Sequence, residues 1–190
     1  LGSSLRDLTP EWLEFYLDKY ETNDTIRSLP EGEPVRRAKK NVVYQNLKIS
    51  PDGKYAIYST NEMGKFKIFI VENETGKRKK IMKRGHKLEQ ITDYSYPVMA
   101  WHPSGELFAI ITEEKGNIFL YNYFVETGEI ETRTLLGNPD TRKLFFFDKI
   151  LDFSYSHDGL KFVISATKYG QTDLFVYNIA SNTTEQITMD

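Results

Sequence analysis

From residue 41 onward, short apolar, β-prone runs stand between polar turns and glycines, a pattern that predicts strands. The runs Ala56–Thr60, Phe108–Thr112 and Phe162–Thr167 fill one slot, and Lys67–Val71, Ile118–Tyr123 and Leu174–Asn178 fill the next. Before the first slot stands a polar turn: Ser50-Pro51-Asp52-Gly53-Lys54, His102-Pro103-Ser104-Gly105-Glu106 and Ser156-His157-Asp158-Gly159-Leu160. Aligned on Gly53, Gly105 and Gly159, the three copies run without a gap for 23 residues. Eleven residues after those glycines stand Gly64, Gly116 and Gly170, and twenty-three after them Gly76, Gly128 and Asn182.

Each copy therefore predicts four strands: about 44–49, 54–60, 66–71 and 77–81 in the first, 97–101, 106–112, 117–124 and 130–135 in the second, and 150–155, 160–167, 172–178 and 183–188 in the third. Glycine supplies the positive φ that a reverse turn needs, and a short polar side chain bonds its own backbone there. Pro51, Asp52, Gly53, Pro103, Gly105, Asp158 and Gly159 are read as turn residues on this ground. Asn182 stands in for glycine because Asn tolerates left-handed backbone. The turn glycines lie 52 and 54 residues apart, and four short strands per period of about 40–50 residues indicate propeller blades. Such a meander is apolar on both faces, so neighbouring copies must stack.

The chain begins differently. Residues 8–21 predict a helix, with Thr9 as cap, Pro10 at the first helical position and Trp12, Leu13, Phe15, Tyr16, Leu17 and Tyr20 at mostly helical spacing, an apolar set that calls for a packing partner. Residues 22–40, broken by Asn23, Asp24, Pro30, Gly32 and Pro34, read as a linker. Its cations Arg36, Arg37, Lys39 and Lys40 read as a solvated approach to the first strand. The expected organisation is all-β: a helix and linker at 1–40, then three blades over 41–190, at about 41–90, 91–140 and 141–190.

Composition narrows the chemistry. Formal net charge is -2, which makes nucleic acid and anionic membrane poor default partners, and no apolar run is long enough to span a bilayer. With no cysteine, disulfides, thiol nucleophiles and Cys-ligated zinc are excluded. His86, His102 and His157 show no metal-ligand spacing; the last two fall in adjacent turn slots of different copies and read as turn residues. Asp52 and Asp158 occupy the same slot, so turn chemistry accounts for them better than a catalytic pair. There is no Gly-x-Ser-x-Gly elbow, no phosphate loop and no dinucleotide fingerprint, and neither a catalytic residue, a metal nor a cofactor is expected.

Tyr94, Tyr96, Phe145, Phe146 and Phe147 lie in the connections between copies, just ahead of each copy's first strand. Packing between blades is one reading of them, and an exposed surface for a protein, peptide or glycan is the other.

The turn Ser50-Pro51-Asp52-Gly53-Lys54, the β run and glycine loop after it, and Ile68-Phe69-Ile70-Val71 resemble the TolB-type propeller repeat, a WD-like blade. Ser104 for Asp and His157 for Pro depart from that pattern, and Trp101 stands where such repeats often carry Trp or Phe. The resemblance covers 41–190. It implies a non-enzymatic interaction or scaffold module of a bacterial envelope or surface protein, in the periplasm or at the cell surface with the cytoplasm open, binding a protein or peptide. The alternative it implies is the gating propeller of a prolyl oligopeptidase-like or other peptidase whose catalytic domain lies outside this chain.

Three blades fall short of the usual four to eight. A piece of a larger propeller is expected; a ring assembled from several chains or an open partial propeller is the alternative. An open end exposes a strand edge or an apolar blade face, which favours self-association.

Overall fold

The computed structural model describes residues 5–24, 38–85, 94–114, 117–134 and 147–189. The chain divides into two units, 1–37 and 38–190. The first holds helix α1 (Leu5–Asp24). It begins before the predicted residue 8, so Pro10 falls inside the helix instead of at its first position. A proline in the second turn forfeits one backbone hydrogen bond, and the flanking helical residues carry the helix past it. Trp12, Leu13, Phe15, Tyr16, Leu17 and Tyr20 are exposed; edge-to-face contact of Trp12 with Tyr16 and stacking of Tyr16 on Tyr20 cover them in part.

The second unit contains three four-stranded antiparallel sheets. Blade 1 is β1 (Val43–Ile49), β2 (Tyr55–Glu62), β3 (Lys65–Glu72) and β4 (Arg78–Arg84). Blade 2 is β5 (Val98–Trp101), β6 (Leu107–Glu114), β7 (Asn117–Phe124) and β8 (Ile130–Thr134). Blade 3 is β9 (Lys149–Tyr155), β10 (Lys161–Lys168), β11 (Gln171–Asn178) and β12 (Thr183–Gln186). Each sheet is a meander in sequence order, and the first strands β1, β5 and β9 lie side by side where the blades converge. β4 runs three residues beyond the predicted 81. Its last two residues, Lys83 and Arg84, are exposed edge-strand cations whose backbone pairs with β3 although their side chains show no apolar pattern.

The side-chain alternation of each strand sets which blade it meets. Residues three and five after the turn glycine face the preceding blade; residues four and six face the next. Hence Phe108 and Ile110 of blade 2 pack with Ile57, Ile68 and Ile70 of blade 1. Ala109, Ile111 and Leu120 of blade 2 pack with Phe162, Ile164 and Phe175 of blade 3. Two apolar layers result, one per blade junction, and blade 2 is covered on both faces.

The hairpin between β2 and β3 is closed by Met63 (φ 53) and Gly64 (φ 92), and that between β10 and β11 by Tyr169 (φ 52) and Gly170 (φ 80). Two successive left-handed residues make the turn whose twist matches the flanking strands.

Candidate interaction surfaces

The Pro-Asp-Gly turns are closed hydrogen-bonded units. In the first, the Ser50 hydroxyl donates to Asp52 Oδ1 at 2.7 Å and accepts the Tyr55 amide at 2.9 Å, while the Lys54 amide donates to the same Asp52 oxygen at 3.1 Å. Gly53 N–H closes onto the Ser50 carbonyl at 2.9 Å. The third turn repeats this with Ser156 on Asp158 at 2.5 Å and the Leu160 amide at 3.0 Å. The hydroxyl and amide donors hold the Asp52 carboxyl down to about 2, the Ser50 hydroxyl contributing most, and the same pair from Ser156 and Leu160 lowers Asp158.

The second turn reaches the same backbone with other atoms. Where the others have Ser and Asp, it has His102 and Ser104, and the Ser104 amide donates to His102 Nδ1 at 3.2 Å. The ring packs edge-to-face on Tyr155 of blade 3 at 4.9 Å and lies against Gly159, where a Cβ would collide with it. The turns of blades 2 and 3 therefore touch.

The connection aromatics separate into different places. Tyr96 is buried, and its hydroxyl accepts the Ile150 amide at 2.8 Å, tying blade 2 to the first strand of blade 3. Phe147 is half-buried and packs edge-to-face on Phe175 at 4.7 Å. Tyr94 is 42% exposed, and its carbonyl accepts Gln45 Nε2 at 2.9 Å. Phe145, Phe146 and His86 lie outside the described residues. The structure thus puts Tyr96 and Phe147 into the blade 2–blade 3 layer and leaves Tyr94 at the surface.

Side chains of the innermost strands knit the blades together near the axis, a role the sequence pattern did not disclose. Asn46 Nδ2 donates to the Pro97 carbonyl at 2.5 Å, and Trp101 Nε1 to the Lys48 carbonyl at 3.2 Å. Lys48 reaches Asp152 at 3.7 Å, a largely exposed pair of small energetic weight. Among the described residues no three His, Asp or Glu stand close enough to hold a metal, and no helix is long and apolar enough to cross a membrane.

Blade 1 ends in a cationic edge: β4 reads Arg-Lys-Lys-Ile-Met-Lys-Arg. Arg78 lies over the Phe69 ring at 4.3 Å and donates to the Tyr58 hydroxyl at 3.0 Å. Tyr58 stacks between Phe69 and Tyr44. These four side chains occupy the face of blade 1 turned away from blade 2.

Radially arranged four-stranded meanders joined by apolar layers define a β-propeller fold. No known family model matches the chain, and no curated protein sequence matches it. Solved structures do. TolB from Acinetobacter baumannii superposes with a TM-score of 0.57 at 16% identity, over 78% of this chain and 33% of that one. The β-propeller domain of the Trilobed protease from Pyrococcus furiosus, described as having an open velcro topology, gives 0.51 at 14% identity, over 80% of this chain and 44% of that one. A prolyl endopeptidase gives 0.53 at 11% identity, over 81% of this chain and 23% of that one. The chain thus spans less than half the length of each of these proteins, and the likeness is one of fold.

Proposed function

We propose that this chain is a non-enzymatic interaction or scaffold module of TolB-like type, binding an extended segment of a protein or peptide, in the periplasm or at the surface of a bacterium. One observation carries the reading. The connection between blades 1 and 2 presents Tyr94 exposed while its backbone is pinned by Gln45, and Tyr96 two residues on is locked into the core. An aromatic ring held on a fixed backbone is an economical anchor, because little conformational freedom is lost on contact. The carboxylates that might have suggested hydrolysis, Asp52 and Asp158, are committed to their own turns, which supports a binding role over a catalytic one.

The test is selection of peptides from a displayed library on the intact chain. Selected peptides are expected to lose about tenfold in affinity or more with Tyr94→Ala, the size of effect an aromatic anchor gives. Peptides insensitive to Tyr94→Ala would remove this site. Peptide hydrolysis by the purified chain, abolished by a point substitution within it, would overturn the non-enzymatic reading.

The second reading makes the chain the gating propeller of a peptidase, since propellers of this fold occur in the Trilobed protease and in a prolyl endopeptidase. A Gly-x-Ser-x-Gly elbow in the same gene beyond residues 1–190 would favour it.

A further inference from the structure

The outer strand of blade 1 differs from its counterparts in charge. Residues 77–84 read Lys-Arg-Lys-Lys-Ile-Met-Lys-Arg, six cations in eight positions with no carboxylate, and all six are exposed. In the same slot of blade 2, residues 129–136 hold Glu129, Glu131 and Arg133; in blade 3, residues 183–190 hold Glu185 and Asp190 and no cation. Lysine on an edge strand commonly guards it against pairing. β8 and β12 are outer strands of the same kind without that guard, so the repeat itself does not call for one. Ion pairing within the chain does not account for the cluster either: among the described residues, Lys77, Lys79, Lys80 and Lys83 stand in no ion pair with a carboxylate.

The backbone beneath these cations is available. The Glu72 amide bonds the Lys77 carbonyl at 2.9 Å, which fixes the phase of the β3–β4 ladder. Hydrogen-bonded pairs alternate in an antiparallel ladder, so Lys79 bonds back to β3 while Arg78 and Lys80 turn their N–H and C=O groups outward. Among the described residues no strand pairs with that outer edge. The edge is lateral to both faces of the blade, so stacking on either face leaves it in place. Its cations flank it on both sides: Lys79 reaches over Tyr123 of blade 2 at 5.8 Å, and Lys80, next along the strand, points to the opposite face with its partner Phe69.

We propose that the outer edge of β4 receives an acidic, extended segment of another protein as a fifth strand of blade 1. Main-chain hydrogen bonds to Arg78 and Lys80 would hold the segment, and cross-strand charge pairs would select its carboxylates. The same cations repel a second copy of β4, which leaves a strand of opposite charge as the occupant. A flat anionic surface would meet one face of the strand only, and cations on both faces fit an added strand better. The site goes beyond the Tyr94 reading. β4 and β1, whose Gln45 pins Tyr94, are the two opposite edges of the sheet, so either reading can fail alone.

The experiment is fluorescence anisotropy of a labelled peptide, Thr-Thr-Glu-Glu-Glu-Thr-Thr, matching the 7 residues of β4, titrated with the chain up to about 1 mM. Saturable binding that weakens with added salt is expected. Lys80→Thr, which removes one charge pair, is expected to weaken it by up to about fivefold. Lys80→Pro also removes an outward amide that β3 does not use, and is expected to lose about tenfold more with an unchanged far-ultraviolet circular dichroism spectrum. Lys79→Glu with Lys83→Glu, reversing a charge on each face, is expected to lose about tenfold or more. Alternate N-methylation of the peptide makes the same test on the unaltered chain: one phase of methyl groups is expected to abolish binding and the other to leave it. No saturable binding, equal affinity of Lys80→Pro and Lys80→Thr, or indifference to both phases of N-methylation would overturn strand addition. An oligothymidylate of the same net charge bound as tightly as the peptide would overturn the choice of an acidic protein segment.

Discussion

At the residue scale, the turn glycines separate backbone demand from packing demand. Gly53 and Gly159 have the same φ of 73°, yet a Cβ on Gly53 meets open space while one on Gly159 runs into the His102 imidazole. Gly53→Ala carries only the left-handed penalty, about 1–2 kcal/mol. Gly159→Ala adds displacement of His102 from Tyr155 and is expected to cost about 1–3 kcal/mol more, the range for forced overpacking. Urea unfolding of the two variants checks this; equal losses would mean that His102 moves aside freely. The turn aspartates give a pH dependence. Both have folded pKa values below the unfolded ones, Asp52 at about 2, so their contribution is present above about pH 4 and lost as pH falls toward 2. Asp52→Asn is expected to flatten the fall of unfolding free energy between about pH 4 and pH 2, with no added effect at pH 7 beyond a constant offset. These turns were legible from the sequence because three copies put glycine in one slot while proline and aspartate varied. The swap of Ser-Asp for His-Ser was visible as letters, but the contact of His102 with Gly159 was not, since it joins residues far apart in sequence.

At the element scale, the strands could be read because their signal is local: short β-prone runs and turn glycines need no knowledge of what packs on them. Where the reading slipped, the local pattern was silent on how far an element extends. Helix α1 includes Pro10 inside its span, and β4 extends through Lys83 and Arg84, whose pairing is with β3 and not with a pattern of their own. The connection aromatics show the same limit. Tyr96 and Tyr94 look alike in sequence, yet one hydroxyl meets a buried amide of another blade and the other ring faces solvent. The hairpin turns carry a prediction at this scale. Met63 holds φ 53 in a two-residue loop before Gly64, a conformation that Asn adopts at lower cost. Met63→Asn is expected to stabilise the chain by about 0.5–1 kcal/mol, read as a rise in the thermal midpoint. No rise, or a fall, would show that the Met63 side chain contributes packing outweighing its backbone strain.

At the scale of the whole molecule, stability is a sum over blades and the layers between them, so the blade with two layers should open last. Blade 2 has apolar neighbours on both faces, and blades 1 and 3 on one each. Amides of β6 and β7 in this chain are therefore expected to exchange slowest, with those of β3 and β11 less protected despite equal ladder pairing. Hydrogen exchange resolved strand by strand reads this ordering. Uniform protection across β3, β6, β7 and β11 would contradict the layer argument, because it would mean that ladder pairing alone, and not the number of apolar layers on a blade, sets how readily its strands open.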